Sequence, residues 1–243
     1  VKRVGPKASG KWERISWDEA LDTLAERNLT YKEKYGPESI VIGYGTDREN
    51  EAVIYRISNC LGSPNVITAG HFCYGPRIST SIITLGTNPI VDYENFPKCI
   101  MMWGNNVTIS NPDEYKGEPF SVALDKGAKL IVVDPRLTRP AARANVWLQL
   151  RPGTDAALGL GWLNVIVNEF LYDQEFVEKW TFGFDKLAER VKEYPPEKVS
   201  KITEVPVDQI QESARLYALT KPAILLHGVK LDQLGYNSTH AIR

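Results

Sequence analysis

Short apolar runs recur along this chain with helix-forming segments between them, and that alternation constrains the fold more than any other feature. Residues 39–44, 98–103, 128–133, 146–150 and 223–227 each read as a buried strand. Residues 10–15 read as a shorter one. Ser16 opens a helix as N-cap, with Glu19 three residues on, and Gly36-Pro37 ends it. Asp47 is placed to cap a second helix to about Leu61, stopped by Gly62. Residues 63–76 read as irregular, with a helix following to Gly86. Further helices are expected over 118–126, 154–170, 177–194 with a break near Gly183, and 206–220. Strands alternating with helices imply parallel βαβ units, hence an α/β fold with doubly wound, mostly parallel, Rossmann-like sheets. Ligands of such sheets sit beyond the carboxyl ends of the strands, so the residues just after each strand carry the information.

The length of 243 residues allows one large α/β domain or two smaller ones. A net charge of −1 implies no general attraction to nucleic acid or an anionic membrane. No stretch approaches the ~20 apolar residues of a membrane span. Cys60, Cys73 and Cys99 are too few and too scattered for a disulfide framework. No CxxC occurs, so the segment cannot supply a four-cysteine iron–sulfur or zinc site by itself. Without an initiator Met or signal peptide, and with an apparent helix stopping at Arg243, both ends read as cut edges of a longer polypeptide.

Three strand ends carry unusual residues. In Trp103-Gly104-Asn105-Asn106, glycine admits close backbone approach by a ligand and the asparagines add donors and acceptors; taken alone, a plain strand-to-loop turn is the simpler account. In Asp134-Pro135-Arg136-Leu137-Thr138, Asp134 can accept from ribose or pterin donors, and the Arg136 fork suits a phosphate. A structural Asp–Arg pair closing the loop is the alternative. In Arg151-Pro152-Gly153-Thr154-Asp155, free N–H groups at a helix start favour anions. Asp155 could accept both N1–H and N2–H of a guanine, a pairing that adenine cannot make. Otherwise Thr154 merely caps the helix and Asp155 complements its dipole. Neither a GxGxxG nor a P-loop follows any strand.

Cys73 lies in His71-Phe72-Cys73-Tyr74-Gly75-Pro76-Arg77, ahead of a helix start that would favour a thiolate, and a thiolate suits soft metal ligation. Arg77 is near enough to hold an anionic substrate. Alone, Cys73 reads first as a buried inert thiol and His71 as a hydrogen-bonded structural histidine. Cys60 and Cys99 read as core.

The ordered set of Cys73 with Gly75-Pro76, Trp103-Gly104-Asn105, Asp134-Pro135-Arg136-Leu137-Thr138 and Pro152-Gly153-Thr154-Asp155 resembles the molybdopterin oxidoreductases of the dimethyl sulfoxide reductase class. Supporting stretches are residues 10–21, Leu171-Tyr172-Asp173 with Glu175-Phe176-Val177, and Ile202-Thr203-Glu204-Val205-Pro206. The resemblance implies Mo or W held by bis-molybdopterin guanine dinucleotide, with Cys73 at the position of the protein's metal ligand. Gly104, Asn105, Asn106, Asp134, Pro135, Arg136, Thr138, Gly153, Thr154 and Asp155 would hold one dinucleotide. Gly228 would approach the other. Tyr74, Arg77 and His71 would face metal or substrate. A [4Fe-4S] cluster is expected only in a preceding segment, and an iron–sulfur electron-transfer subunit as partner.

The resemblance also implies an enzyme performing two-electron redox chemistry on a small substrate. Tyr74 stands where formate dehydrogenases carry histidine, and the same loop resembles acetylene-hydratase-like and thiosulfate reductase-like members. A hydration at tungsten without net redox change, or a non-catalytic nucleotide-binding scaffold, are the competing expectations. By the family pattern, residues 1–68 begin one α/β domain, 69–220 form an inserted cofactor-binding domain, and 221–243 return to the first.

Overall fold

The computed structural model describes residues 1–46, 49–71, 73–110, 112, 116–235 and 238–243, with only the backbone of His71. The chain divides into two compact units, Val1–Phe72 and Cys73–Arg243.

In the first unit, β1 (Lys2–Arg3) and β2 (Trp12–Glu13) form an antiparallel ribbon. Helix α1 (Trp17–Tyr35) starts as expected: Ser16 is extended and its Oγ accepts from the Glu19 N–H at 3.1 Å. Asp18 and Glu19 then complement the positive end of the helix dipole, and Lys32 and Lys34 the negative end. Strand β3 (Val41–Tyr44) precedes α2 (Glu51–Leu61), which ends at left-handed Gly62. The expected cap Asp47 lies outside the described residues. Residues 63–76, expected to be irregular, contain strand β4 (Asn65–Thr68), which runs parallel to β3 with Val41 opposite Asn65. Its Val-Ile-Thr run carried the strand signal, but at four residues it was too short to stand out from a loop. Cys60, expected in the core, is exposed. It lines a groove between α1 and α2 together with Leu29, Val53 and Ile57.

The second unit begins with α3 (Gly75–Leu85) and is built on a four-stranded parallel sheet. The order along the chain is β5 (Cys99–Trp103), α4 (Val107–Ser110), α5 (Gly117–Asp125), β6 (Lys129–Val133), α6 (Arg139–Ala142) and β7 (Val146–Leu148). Then come α7 (Asp155–Asn168), α8 (Gln174–Trp180), α9 (Phe184–Val191), α10 (Pro196–Thr203), α11 (Val207–Leu219), β8 (Ala223–His227), α12 (Val229–Asp232) and α13 (Ser238–Ile242). Helix α10 was not foreseen; it starts at Pro196, and Pro at a first helical position loses no hydrogen bond.

Across the sheet the strands run β7-β6-β5-β8. Strand alternation sends Cys99, Met101, Trp103, Ile131 and Val133 to one face, where they pack with Leu158, Trp162 and Val165 of α7 and Ile210 and Ala214 of α11. Ile100, Met102, Leu130 and Val132 pack on the other with Phe120, Ala123 and Ala141. Helices on both faces make the sheet doubly wound. Residues 223–227, which the family pattern assigns to the first domain, here pair in parallel with β5 of the second unit. Among the described residues no helix is long and apolar enough to cross a membrane.

Candidate functional site

The strand order decides where a ligand fits. From β5 the chain winds outward through β6 to β7, then returns to place β8 on the other flank of β5. The connections after β5 and β8 therefore leave the sheet in opposite directions, opening a crevice at their carboxyl ends. Gly104 and Gly228 sit there. The Gly228 N–H donates to the Trp103 carbonyl at 2.8 Å, and the Gly104 N–H to that of Val133 at 2.9 Å. A Cβ on Gly228 would lie 1.8 Å from the Gly104 carbonyl oxygen, so the two backbones meet as only glycine allows. Gly104 itself has φ +57°. Asn105 Nδ2 donates across the crevice to the His227 carbonyl at 3.4 Å, while Asn106 Oδ1 accepts from Thr108 Oγ1 at 2.7 Å.

The β6 and β7 ends complete the rim. Asp134 is buried; its Oδ1 accepts from the Arg136 N–H at 2.8 Å, an Asx turn rather than the Asp–Arg side-chain pair considered above. Trp147 Nε1 donates to the Asp134 carbonyl at 2.9 Å and Gln149 Nε2 to that of Pro135 at 3.0 Å. The Arg136 side chain is left exposed. Thr138 caps α6, its Oγ1 accepting from the Ala141 N–H at 3.3 Å.

After β7, Gly153 adopts φ +86° and turns the chain into α7. Thr154 Oγ1 donates to the Arg151 carbonyl at 2.6 Å, closing the loop instead of capping the helix. Asp155 is 8% exposed, and its Oδ1 accepts from Trp103 Nε1 at 2.9 Å. Its role is thus more than dipole complementarity. The bond ties the end of β5 to the start of α7, and among the described residues Oδ2 has no donor.

Cys73 is half-buried, two residues before α3, and Tyr74 occupies the cap position of that helix. Arg77 is not free. Its backbone N–H donates to Asp232 Oδ1 at 2.8 Å, and its Nε and Nη2 donate to Asp232 Oδ2 at 3.2 and 2.7 Å. The Asp232 side chain is wholly buried. His227, at the end of β8, has its Nε2 buried with no partner among the described residues. Burial, with the Arg77 and Lys116 charges, pushes its pKa down to about 4 against the opposing pull of Asp232, so the imidazole is neutral near pH 7. Asp232 and His227 drew no attention in the sequence, and neither did the bond from Trp103 to Asp155. A partner 155 or 52 positions away leaves no local spacing signal.

A crevice floored by two touching glycines, a buried carboxylate with one uncommitted oxygen and an orphaned imidazole nitrogen fit a polar, hydrogen-bonding cofactor. The molybdopterin oxidoreductase family model matches residues 1–240. Acetylene hydratase of Syntrophotalea acetylenica is 41% identical over 246 residues, 100% of this chain and 33% of that protein. Formate dehydrogenase H of Escherichia coli is 34% identical, over 96% of this chain and 33% of its own length. The thiosulfate reductase molybdopterin-containing subunit PhsA of Salmonella typhimurium is 32% identical, over 91% and 29%. Among solved structures, acetylene hydratase from Pelobacter acetylenicus matches with a TM-score of 0.83 over 99% of this chain and 33% of that one, at 41% identity. The chain spans about a third of the length of these relatives. The family's cofactor is a molybdopterin with Mo or W, and the relatives include redox enzymes and a hydratase. With its doubly wound fold and nearly its full length matched, the chain belongs to the molybdopterin oxidoreductase family.

Proposed function

We propose that this chain holds part of a bis(molybdopterin guanine dinucleotide) centre, and that the whole protein performs two-electron redox chemistry on a small substrate. The observation that carries this reading is Asp155, a buried carboxylate anchored through one oxygen and open at the other, on a rim of parallel strand ends. Guanine offers two adjacent N–H donors to such a group. Gly104, Asn105 and Asn106 line the dinucleotide's path beyond β5. Asp134, Pro135, Arg136 and Thr138 do so beyond β6, where the exposed Arg136 meets phosphate. Gly153 and Thr154 shape the turn that presents Asp155. Gly228 brings the β8 loop close to the second dinucleotide. Cys73 supplies the protein's bond to the metal, with Tyr74 towards substrate; the His71 side chain, expected beside them, lies outside what is described. Arg77 keeps Nη1 and one Nη2 hydrogen for an anion, because Asp232 takes Nε–H and the other Nη2 hydrogen. When bound, the cofactor supplies a metal able to exchange two electrons. Those electrons leave through a [4Fe-4S] cluster outside this segment to an iron–sulfur subunit.

A second reading is hydration without net redox change, as in acetylene hydratase; the 41% identity over the whole chain favours it. Supplying the whole protein with acetylene, and separately with redox dyes and candidate oxidised or reduced substrates, separates the two. Dye-coupled turnover is expected under the first reading. Water addition to acetylene with no dye turnover would replace it by the second.

A further inference from the structure

We propose that Asp232 is the positioning residue for Cys73: a carboxylate on the far side of β8 fixes the first turn of α3, and so fixes where the thiol preceding that turn is held. The inference rests on the reading of Cys73 as metal ligand.

Three observations converge. First, among the described residues the segment leading into α3 gives that helix no side-chain cap. Tyr74 stands at the cap position without a capping side-chain bond, although the first N–H groups of a helix need acceptors. Asp232 Oδ1 supplies one at 2.8 Å, from 155 positions along the chain, to the third residue of the helix. Second, the same carboxylate takes Nε and Nη2 of Arg77. Backbone and side chain of one residue are thereby gripped together, which fixes rotation of the first turn as well as its place. Third, the Asp232 side chain is wholly buried, while that of Arg77 is 21% exposed. A buried ion pair is weak evidence for stability, since packed apolar groups often do as well; what it does provide is a definite geometry.

Between this grip and the sulfur lie only Tyr74, Gly75 and Pro76, the last stiffening the link. Helix α12, which carries Asp232, starts straight after Gly228 at the crevice. Asp232 therefore references the Cys73 loop to the strand ends that would hold the cofactor. Groups behind a metal ligand commonly matter about tenfold or more in metal affinity or activity.

The test uses the whole protein. Cys73→Ser is examined first, by X-ray absorption at the metal edge of the cofactor-loaded protein. Loss of one sulfur neighbour is expected, and an unchanged sulfur count would refute Cys73 as ligand without bearing on the grip on α3. Wild type and Asp232→Asn are then prepared free of cofactor and alkylated with iodoacetamide, labelling being read on the Cys73 peptide by mass spectrometry. Asp232→Asn is isosteric and keeps an acceptor for the Arg77 N–H, so folding is retained and the guanidinium is weakened. Labelling is expected to accelerate, by up to about tenfold, and cofactor occupancy to fall. Arg77→Lys, which keeps the charge and the backbone bond, should fall between the two. A Cys73 labelling rate that is unchanged or lower overturns the proposal, even where the melting temperature drops, because a merely structural pair would lower stability without touching the thiol.

Discussion

Asp155 and Trp103 show how much one buried bond can decide. The indole N–H reaches the carboxylate at 2.9 Å with both residues under 10% exposed, so the orientation of the acid is fixed within the fold itself. Asp155→Ala should lower the guanine dinucleotide released on denaturing the purified whole protein, by about tenfold. Trp103→Phe removes the donor and keeps an aromatic, though smaller, ring, and should cost a smaller part of that. Equal pterin release from all three proteins would count against guanine recognition here. Cys73→Ala should abolish turnover while changing folding stability by no more than about 1 kcal/mol, because the side chain is only half-buried. Activity assays beside thermal melts check both halves. His227 makes a prediction about pH. Its folded pKa, about 4, lies below the ordinary imidazole value, so the unfolded chain takes up the proton first as pH falls. Stability from the neutral imidazole is complete above about pH 6.5 and is lost as pH falls towards 4. His227→Gln should flatten the change in urea midpoint between pH 7 and 5; Arg77, Asp232 and Lys116, the charges that act on the ring, stay in place. At this scale the sequence reveals candidates by type. Cys73, Asp134 and Asp155 stood out because a reactive or charged group sits just past a strand or before a helix. Asp232 did not, because its meaning depends on an arginine on another helix.

At the scale of elements, local chemistry was legible wherever it was self-contained. The Ser16–Glu19 start of α1, the Gly62 stop of α2 and the apolar runs of β5, β6 and β8 all lie where their residues require. Strand β4 was not legible, since its order comes from pairing with β3 rather than from its own four residues. Core and crevice should respond differently to substitution. Met102→Ala in the fully buried β5 should cost about 2–5 kcal/mol and leave the crevice shape alone. Gly228→Ala adds one carbon, but that carbon meets the Gly104 carbonyl, so a cost at the upper end of about 1–3 kcal/mol is expected, together with cofactor loss. Denaturant titration and metal analysis of the two variants side by side test the contrast.

For the molecule as a whole, the alternation of strand and helix specified a doubly wound sheet, and that fold concentrates chemistry at one rim. Which strand takes the outer place beside β5 was not written in any local pattern. Nothing in residues 223–227 distinguishes a neighbour of β5 from a strand of the first unit, and only the long-range packing settles it. Much apolar surface also stays uncovered: Trp17, Leu21, Leu24 and Leu29 of α1 are each more than half exposed. Expressed by itself, this chain should bind apolar dyes and self-associate with rising concentration. Light scattering on a dilution series would show it, and a monodisperse monomer throughout would contradict it.

The meeting of backbones at Gly104 and Gly228 also shapes how this protein can vary. Every residue other than glycine begins with the same first side-chain atom, and at position 228 that atom is the one with no room. In a saturation scan, tolerance there should be flat, with alanine scarcely better than tryptophan, whereas at neighbouring Leu226 it should fall away gradually with size and polarity.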